Sequence, residues 1–423
     1  MNMTAAASFG QSIDVWKKFP PSSKTNEDDA DKPTKQHVSM IAVDPYDTDS
    51  KKRSQISWAC EINGNNGLLG LCDSENHKFI LWRTRDASLT TITIGEDTAS
   101  SGTSNTTTNK SMSSSSVSLA PLGNPVGAFQ SSVDGLIYIA CFGTFPNQQN
   151  DSGVAIVEII YTTALQLEPR LVQTYPYPQP HHVHNIYEFD VLSNKNSTST
   201  NSEGDDTAAE EKEIFLAILG NPWMDPPVPG EGLVRFDRTT GAFIPMNTTG
   251  NANANNASSA AVGWNVRSAT QVSAGVYYAL TQEPEGSPTK LVRMEQQQQQ
   301  RTSSEAPEQH DELLVTAETI LPPRDGGDGG ADVLLGLEPN TVWVSDRWKG
   351  PGRLYYYSFD QNDTSNTTSH SSGDACSSFE LLATHVATGV NARYTNMTTN
   401  GDIVVCSEDS GTLTVMQGLA LNP

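Results

Sequence analysis

Three of the chain's eight histidines, His181, His182 and His184, fall within four positions of the stretch PQPHHVHNIYEFD (178–190). Imidazole exchanges a proton near neutral pH and can act as acid or base, so such a cluster is a candidate for proton transfer. The H-x-H step leads into an alternating run, which puts His182 and His184 on one face of a strand. That spacing suits a metal pair, a catalytic group with a neighbour, or a polar strand end. No third and fourth ligand stand at a spacing that would complete a tetrahedral site, so no metal is expected, nor any other cofactor. His181, and with it His182, also suits a capping role in which a ring nitrogen bonds a loop carbonyl.

The elements that must position these residues are strands. GLIYIACF, GVAIVEII, KLVRM, ADVLLGL, NTVWVS, RLYYYSF, DIVVCS and TLTVM are β-branched and aromatic runs of strand length, bounded mostly by Gly, Asn, Asp or Pro. No stretch of helical period competes with them. The runs recur as a unit: a strand, a turn often built on Asn-Gly or Asp-Gly, a second strand, a longer loop, a third strand. Residues 56–83 and 128–159 show it plainly, the histidine stretch starts another copy, and three more follow. HVSMIAVDP near the start reads as a remnant of a seventh. Repeats of this length predict the blades of a β-propeller.

Polar tracts interrupt the units at 99–118, 192–213, 247–260, 295–310 and 361–378. Each is too poor in branched apolar residues to offset the entropy of ordering, and each reads as a solvated insert. RDGGDGGAD (324–332) lacks the spaced ligands of a calcium loop and reads as a flexible connection. Residues 1–35 are expected to be a disordered segment and 36–423 a single propeller domain.

A net charge of −23 over 423 residues disfavours nucleic acid and anionic membranes as partners. No run of about 18 apolar residues exists to span a bilayer. The opening MNMTAAASFGQSIDVWKKF has no apolar core of signal-peptide length. Cys60, Cys72, Cys141, Cys376 and Cys406 are odd in number, show no C-x-x-C spacing, and mostly sit in apolar runs as buried free thiols do. A cytoplasmic location is expected.

Taken in order, the repeats over roughly 36–416 resemble the seven-bladed β-propeller lactonases, a family that includes the propeller-type 6-phosphogluconolactonases and the carboxy-muconate cyclases. A central P-H-x-H motif reads HHVH here, with His181 in place of the proline. The family's G-x-P-R-H blade followed by a strand ending in N-E reads GWNVRSATQVSAGVYYALTQE. Its S-N-R reads VSDR, and its final P-R-hydrophobic blade reads ARYTNM. The resemblance implies catalytic roles for His184, Arg267, Glu283 and Arg347, with His182, Arg267 and Arg347 in substrate binding. Val266 and Ser268 depart from the pattern around Arg267. Asp346 replaces the asparagine before Arg347, where it could pair with that arginine.

The implied chemistry is coherent. An imidazole would activate water, two guanidiniums would hold an anion and a developing oxyanion, and a carboxylate would orient the base. The expected activity is hydrolysis of an anionic sugar-acid lactone, 6-phosphogluconolactonase-like. The same residues suit a muconate-type lactonising cycloisomerase acting on a dicarboxylate. Glu283 and Arg347 could instead be a structural ion pair bridging blades, and the diverged flanks of Arg267 with the many inserts suit a third reading, a non-catalytic propeller serving as a binding platform.

Overall fold

The computed structural model describes residues 3–7, 12–17, 36–42, 56–62, 68–74, 76–83, 115–144, 151–161, 167–178, 180–191, 211–221, 224, 226, 228–250, 265–281, 288–297, 312–322, 330–347, 351–360, 378–390, 392–397, 401–407, 412–416 and 418–420. Among these residues every regular element is a strand and none is a helix. The strands form seven sheets. The first three-stranded sheet joins Met3–Ala7, Ser12–Lys17 and Gln36–Ala42. The next two hold four strands each, Ile56–Ile62 to Ser115–Ser118 and Pro125–Gln130 to Leu167–Pro176. His182–Asp190 begins a four-stranded sheet, Asn247–Gly250 a five-stranded one that continues with Val266–Ser273, Gly330–Leu335 another of four, and Ala392–Met397 a last one of three.

Within each sheet the strands follow one another as an antiparallel meander, the arrangement of a propeller blade. The exception is Asn247–Gly250, which lies parallel to Glu312–Ile320 on the edge of the five-stranded sheet. Second strands are buried on both faces: every residue of Leu68–Asp73, Ile137–Cys141 and Thr341–Asp346 is buried. Outer strands such as Leu167–Pro176 are mostly exposed or half-buried. An unbroken apolar run therefore marks a strand covered on both faces, and a mixed one marks an edge.

The contacts gather into two compact units, residues 1–176 with 406–413, and 177–405 with 414–423. In the first, Phe79, Ile137, Ile139 and Val157 are fully buried in one cluster with Cys72 and Cys141. Each large side chain so buried contributes roughly 1.5–3 kcal/mol. Burial raises the thiol pKa of Cys60 to about 12 and pushes those of Cys72 and Cys141 up as well, so all three are inert free thiols. In the second unit Phe189, Phe215 and Tyr277 pack ring to ring at 5.2–5.6 Å, beside Leu233, Val292 and Leu313.

Two expectations meet a different arrangement. Met3–Ala7 and Ser12–Lys17, inside the segment expected to be disordered, are strands paired in register with each other and with Gln36–Ala42. The short alternation Ile13, Asp14, Val15 is the period that allows it. The polar tracts also reach into the sheets: Ser115–Ser118 and Asn247–Gly250 are edge strands, and residues 212–213, 295–297 and 378 belong to strands. An edge strand needs main-chain partners on one side only, which Ser, Thr and Asn supply without an apolar face. Apart from Glu211, the remainder of each tract, and Cys376, lie outside the described residues.

Candidate functional site

A repeated irregularity aims the candidate side chains. Val183 faces Ile218 and Asn185 faces Ala217 across the ladder, which leaves His184 as one extra residue between them. Val266 faces Thr281 and Ser268 faces Leu280, so Arg267 is extra in the same way. Gly330 faces Asp346 and Asp332 faces Ser345, and Ala331 is the third. Each is a β-bulge near the start of a strand at the edge of its sheet. Such bulges bend the strand and turn a side chain away from the regular alternation.

Local bonds fix these strand starts. The Asn265 carboxamide oxygen accepts from Gly220 N at 2.8 Å, which anchors the residue two before Arg267. Gln271 imitates a ladder partner for the neighbouring sheet: its Oε1 accepts from Asp190 N at 2.9 Å and its Nε2 donates to Asp190 O at 2.6 Å. Ala269 N donates to the Tyr187 hydroxyl at 2.9 Å. The histidine strand and the Arg267 strand are thereby held side by side. Gly352 leaves the space that Ala392 fills, since a Cβ there would stand 2.5 Å from the Ala392 Cβ. That contact seats the strand carrying Arg393.

His184 is 7% exposed, and its ring bonds the main-chain carbonyl of Arg267. Its pKa is held well below the ordinary histidine range, first by burial and then by the charges of Arg267, Arg393 and Arg347. The bond to the carbonyl opposes that shift without reversing it. His184 is thus a neutral imidazole with three guanidiniums in its electrostatic neighbourhood, inside an acidic protein.

The arginines differ in exposure. Arg267 is 2% exposed, and its Nε donates to Ala331 O at 3.1 Å. Arg347, just past the strand Thr341–Asp346, and Arg393, second residue of Ala392–Met397, are both half-buried. Asp332 bonds the strands that carry two of them. Its Oδ1 accepts from the Ser268 hydroxyl at 2.6 Å and from Val333 N at 3.0 Å, and its Oδ2 accepts from Thr395 N at 3.0 Å. Burial raises the Asp332 pKa against the pull of these bonds and of Arg267. One carboxylate so ties the Arg267 and Arg393 strands together.

Of the residues singled out in the sequence, His184, Arg267 and Arg347 come together. His182 is 4% exposed and faces Leu219. His181 stands apart as a cap, its Nε2 3.1 Å from Pro229 O and its Nδ1 3.5 Å from Glu231 Oε1. Glu283 lies outside the described residues. Asp346 is buried and accepts from the Tyr355 hydroxyl at 3.0 Å. Two members were not singled out. Arg393 sits in ARYTNM, the same small-residue-then-arginine step as in NVRS, and that step was its signal. Asp332 closes the glycine-rich RDGGDGGAD, whose composition masked a structural carboxylate.

The arrangement can accept a proton at neutral pH and hold negative charge beside the acceptor. No family model matches the chain, and no curated protein does. Among solved structures, the periplasmic gluconolactonase PpgL of Pseudomonas aeruginosa matches 98% of this chain and 91% of its own, at 13% identity and a TM-score of 0.53. A protein from Lactobacillus plantarum matches 98% of this chain and 95% of its own, at 12% identity and a TM-score of 0.52. The WD40 β-propeller domain of Doa1 matches over 97% and 87%, at 11% identity and a TM-score of 0.47. The chain has an all-β fold of the propeller class.

Proposed function

We propose that the chain is a lactone hydrolase acting on an anionic sugar-acid lactone, with its site in the second unit. The observation that carries this reading is the pair of bulges that brings buried His184 and Arg267 together, where burial and the charges of Arg267, Arg393 and Arg347 hold the His184 pKa low. In the proposed reaction His184 takes a proton from water as the water oxygen bonds the lactone carbonyl carbon. The negative charge that forms on the carbonyl oxygen is met by the arginines. As the ring C–O bond breaks, His184 returns the proton to the leaving ring oxygen, and the product is the open hydroxy acid. Binding an anion would offset part of the arginine charge and so make His184 a stronger base at the moment it is needed. Glu283 would position the base, and His182 would line the site. The shared fold with a gluconolactonase supports the class of reaction.

The test is direct. The protein is mixed with 6-phosphogluconolactone and, separately, with a carboxy-muconate, and acid release and loss of diene absorbance are followed. Acid release above the spontaneous rate is expected. Loss of diene absorbance alone would make the chain a cycloisomerase, and activity on neither substrate with an intact β spectrum would make it a binding platform.

A further inference from the structure

Asn265 stands where the histidine strand and the Arg267 strand meet, two residues before Arg267. Its Oδ1 accepts from Gly220 N at 2.8 Å, and Gly220 follows Leu219, the ladder partner of His182. Because a main-chain N–H must meet an acceptor, that bond fixes which end of the carboxamide is oxygen and which is nitrogen. The seat is tight. Asn221 N donates to Val228 O at 2.8 Å and Val228 N to Asn221 O at 2.9 Å, which closes the turn after Gly220. Gly230 leaves the space that the carboxamide takes, since a Cβ there would stand 2.6 Å from Asn265 Oδ1. Asn265 is 8% exposed, and among the described residues its Nδ2 has no hydrogen-bond partner. The corresponding step of the first unit is spent differently. There Asn124, two residues before the bulge residue Val126, donates its Nδ2 to Gly143 O at 3.4 Å.

We infer that Asn265 is a catalytic residue whose Nδ2 donates to the carbonyl oxygen of the lactone as negative charge develops there. This rests on the lactonase reading and adds an uncharged donor to the arginines. The His184 ring bonds the main-chain carbonyl of Arg267, so the base and the amide belong to one short seam between two strands. The oxygen that gains charge is one bond from the carbon that the water attacks, and a donor to it must share the seam with the base. An amide held at its oxygen cannot swing away, so its N–H groups are set before the charge forms. A donor fixed in advance in a water-poor place lowers the barrier more than it strengthens binding of the ground state.

Steady-state hydrolysis of 6-phosphogluconolactone by the full-length protein, Asn265→Asp and Asn265→Ala tests this, with thermal melts followed by circular dichroism. Asn265→Asp keeps an acceptor for Gly220 N and puts a second acceptor where the donor was, whereas Asn265→Ala loses both ends. The charge that aspartate adds would act on the binding of an anionic lactone, and the uncharged alanine variant separates that from turnover. In both variants kcat is expected to fall roughly 10²-fold, the lower range for a lost oxyanion donor, with KM in Asn265→Ala within about threefold. The melting temperature should drop more in Asn265→Ala than in Asn265→Asp, so activity and stability part company. An Asn265→Asp protein that keeps kcat within about twofold would overturn the inference, and so would losses of kcat that follow the losses of stability. Either result leaves the lactonase reading standing, because the intact protein is active in both. If the intact protein opens the lactone no faster than the spontaneous rate, the reading of the site fails and the inference fails with it.

Discussion

The two units place the same device under different residues. In the first unit Ile56 faces Asp73 and Trp58 faces Cys72, which leaves Ser57 as the extra residue, and Val126 is extra between Pro125 and Gly127. In the second unit that step of the strand carries His184 and Arg267. Ser57 donates to the Cys72 and Pro125 carbonyls and is fully buried, and Val126 is 5% exposed. There Ser57 on the bulge joins neighbouring sheets. The bulge is therefore a property of how these sheets start, and chemistry enters only where the sequence puts a titratable or charged group on it.

Breaking the device on each side should give very different results. His184→Gln keeps the shape and a hydrogen bond, and kcat should fall by roughly 10²–10⁴, the range for a lost general base. Ser57→Ala, at the corresponding step of the first unit, should leave kcat within about twofold and cost roughly 1 kcal/mol of stability in denaturant titration. Equal losses of activity at the two positions would end the comparison. Next in size is Arg347→Lys, which keeps charge but loses the planar fork. KM should rise by roughly tenfold, at least as much as kcat falls.

The smallest of the three site effects belongs to Asp332→Asn. The amide keeps one acceptor oxygen where the carboxylate has two, so it satisfies Ser268 or Thr395 N but not both, and it removes the negative charge beside Arg267. Stability should drop by about 1–3 kcal/mol. The pH at which kcat/KM begins to fall on the acid side should move lower, because His184 would meet a more positive surrounding. A purely structural role would change stability and leave that pH where it was.

Much of this was legible in the sequence, and the physical reasons for the rest are particular. The first three strands of the sheet at 56–83 were legible because a strand covered on both faces reads mainly as an apolar run, and LLGLC is one. His182 and His184 could not be told apart by spacing. Strict alternation puts them on one face, and the bulge at His184 that separates them arises from pairing with Ala217 and Ile218, far along the chain. Edge strands such as Ser115–Ser118 and Asn247–Gly250 are invisible to an apolar pattern because their stability comes from main-chain bonds. Arg393 was visible as a motif, but the seating of its strand depends on Asp332, which holds Thr395 N, and on Gly352, which makes room for Ala392, both far along the chain.

Histidine ring resonances followed by nuclear magnetic resonance test the central claim, that a neutral His184 among arginines waits for an anion. One imidazole signal, identified by its absence in His184→Gln, should remain in the neutral form at pH 6.5, where an ordinary histidine is half-protonated. Adding 6-phosphogluconate should raise the pH at which that signal titrates, because the anion offsets the guanidinium charge. A His184 signal that titrates near 6.5 in the empty protein and does not respond to the anion would contradict the account.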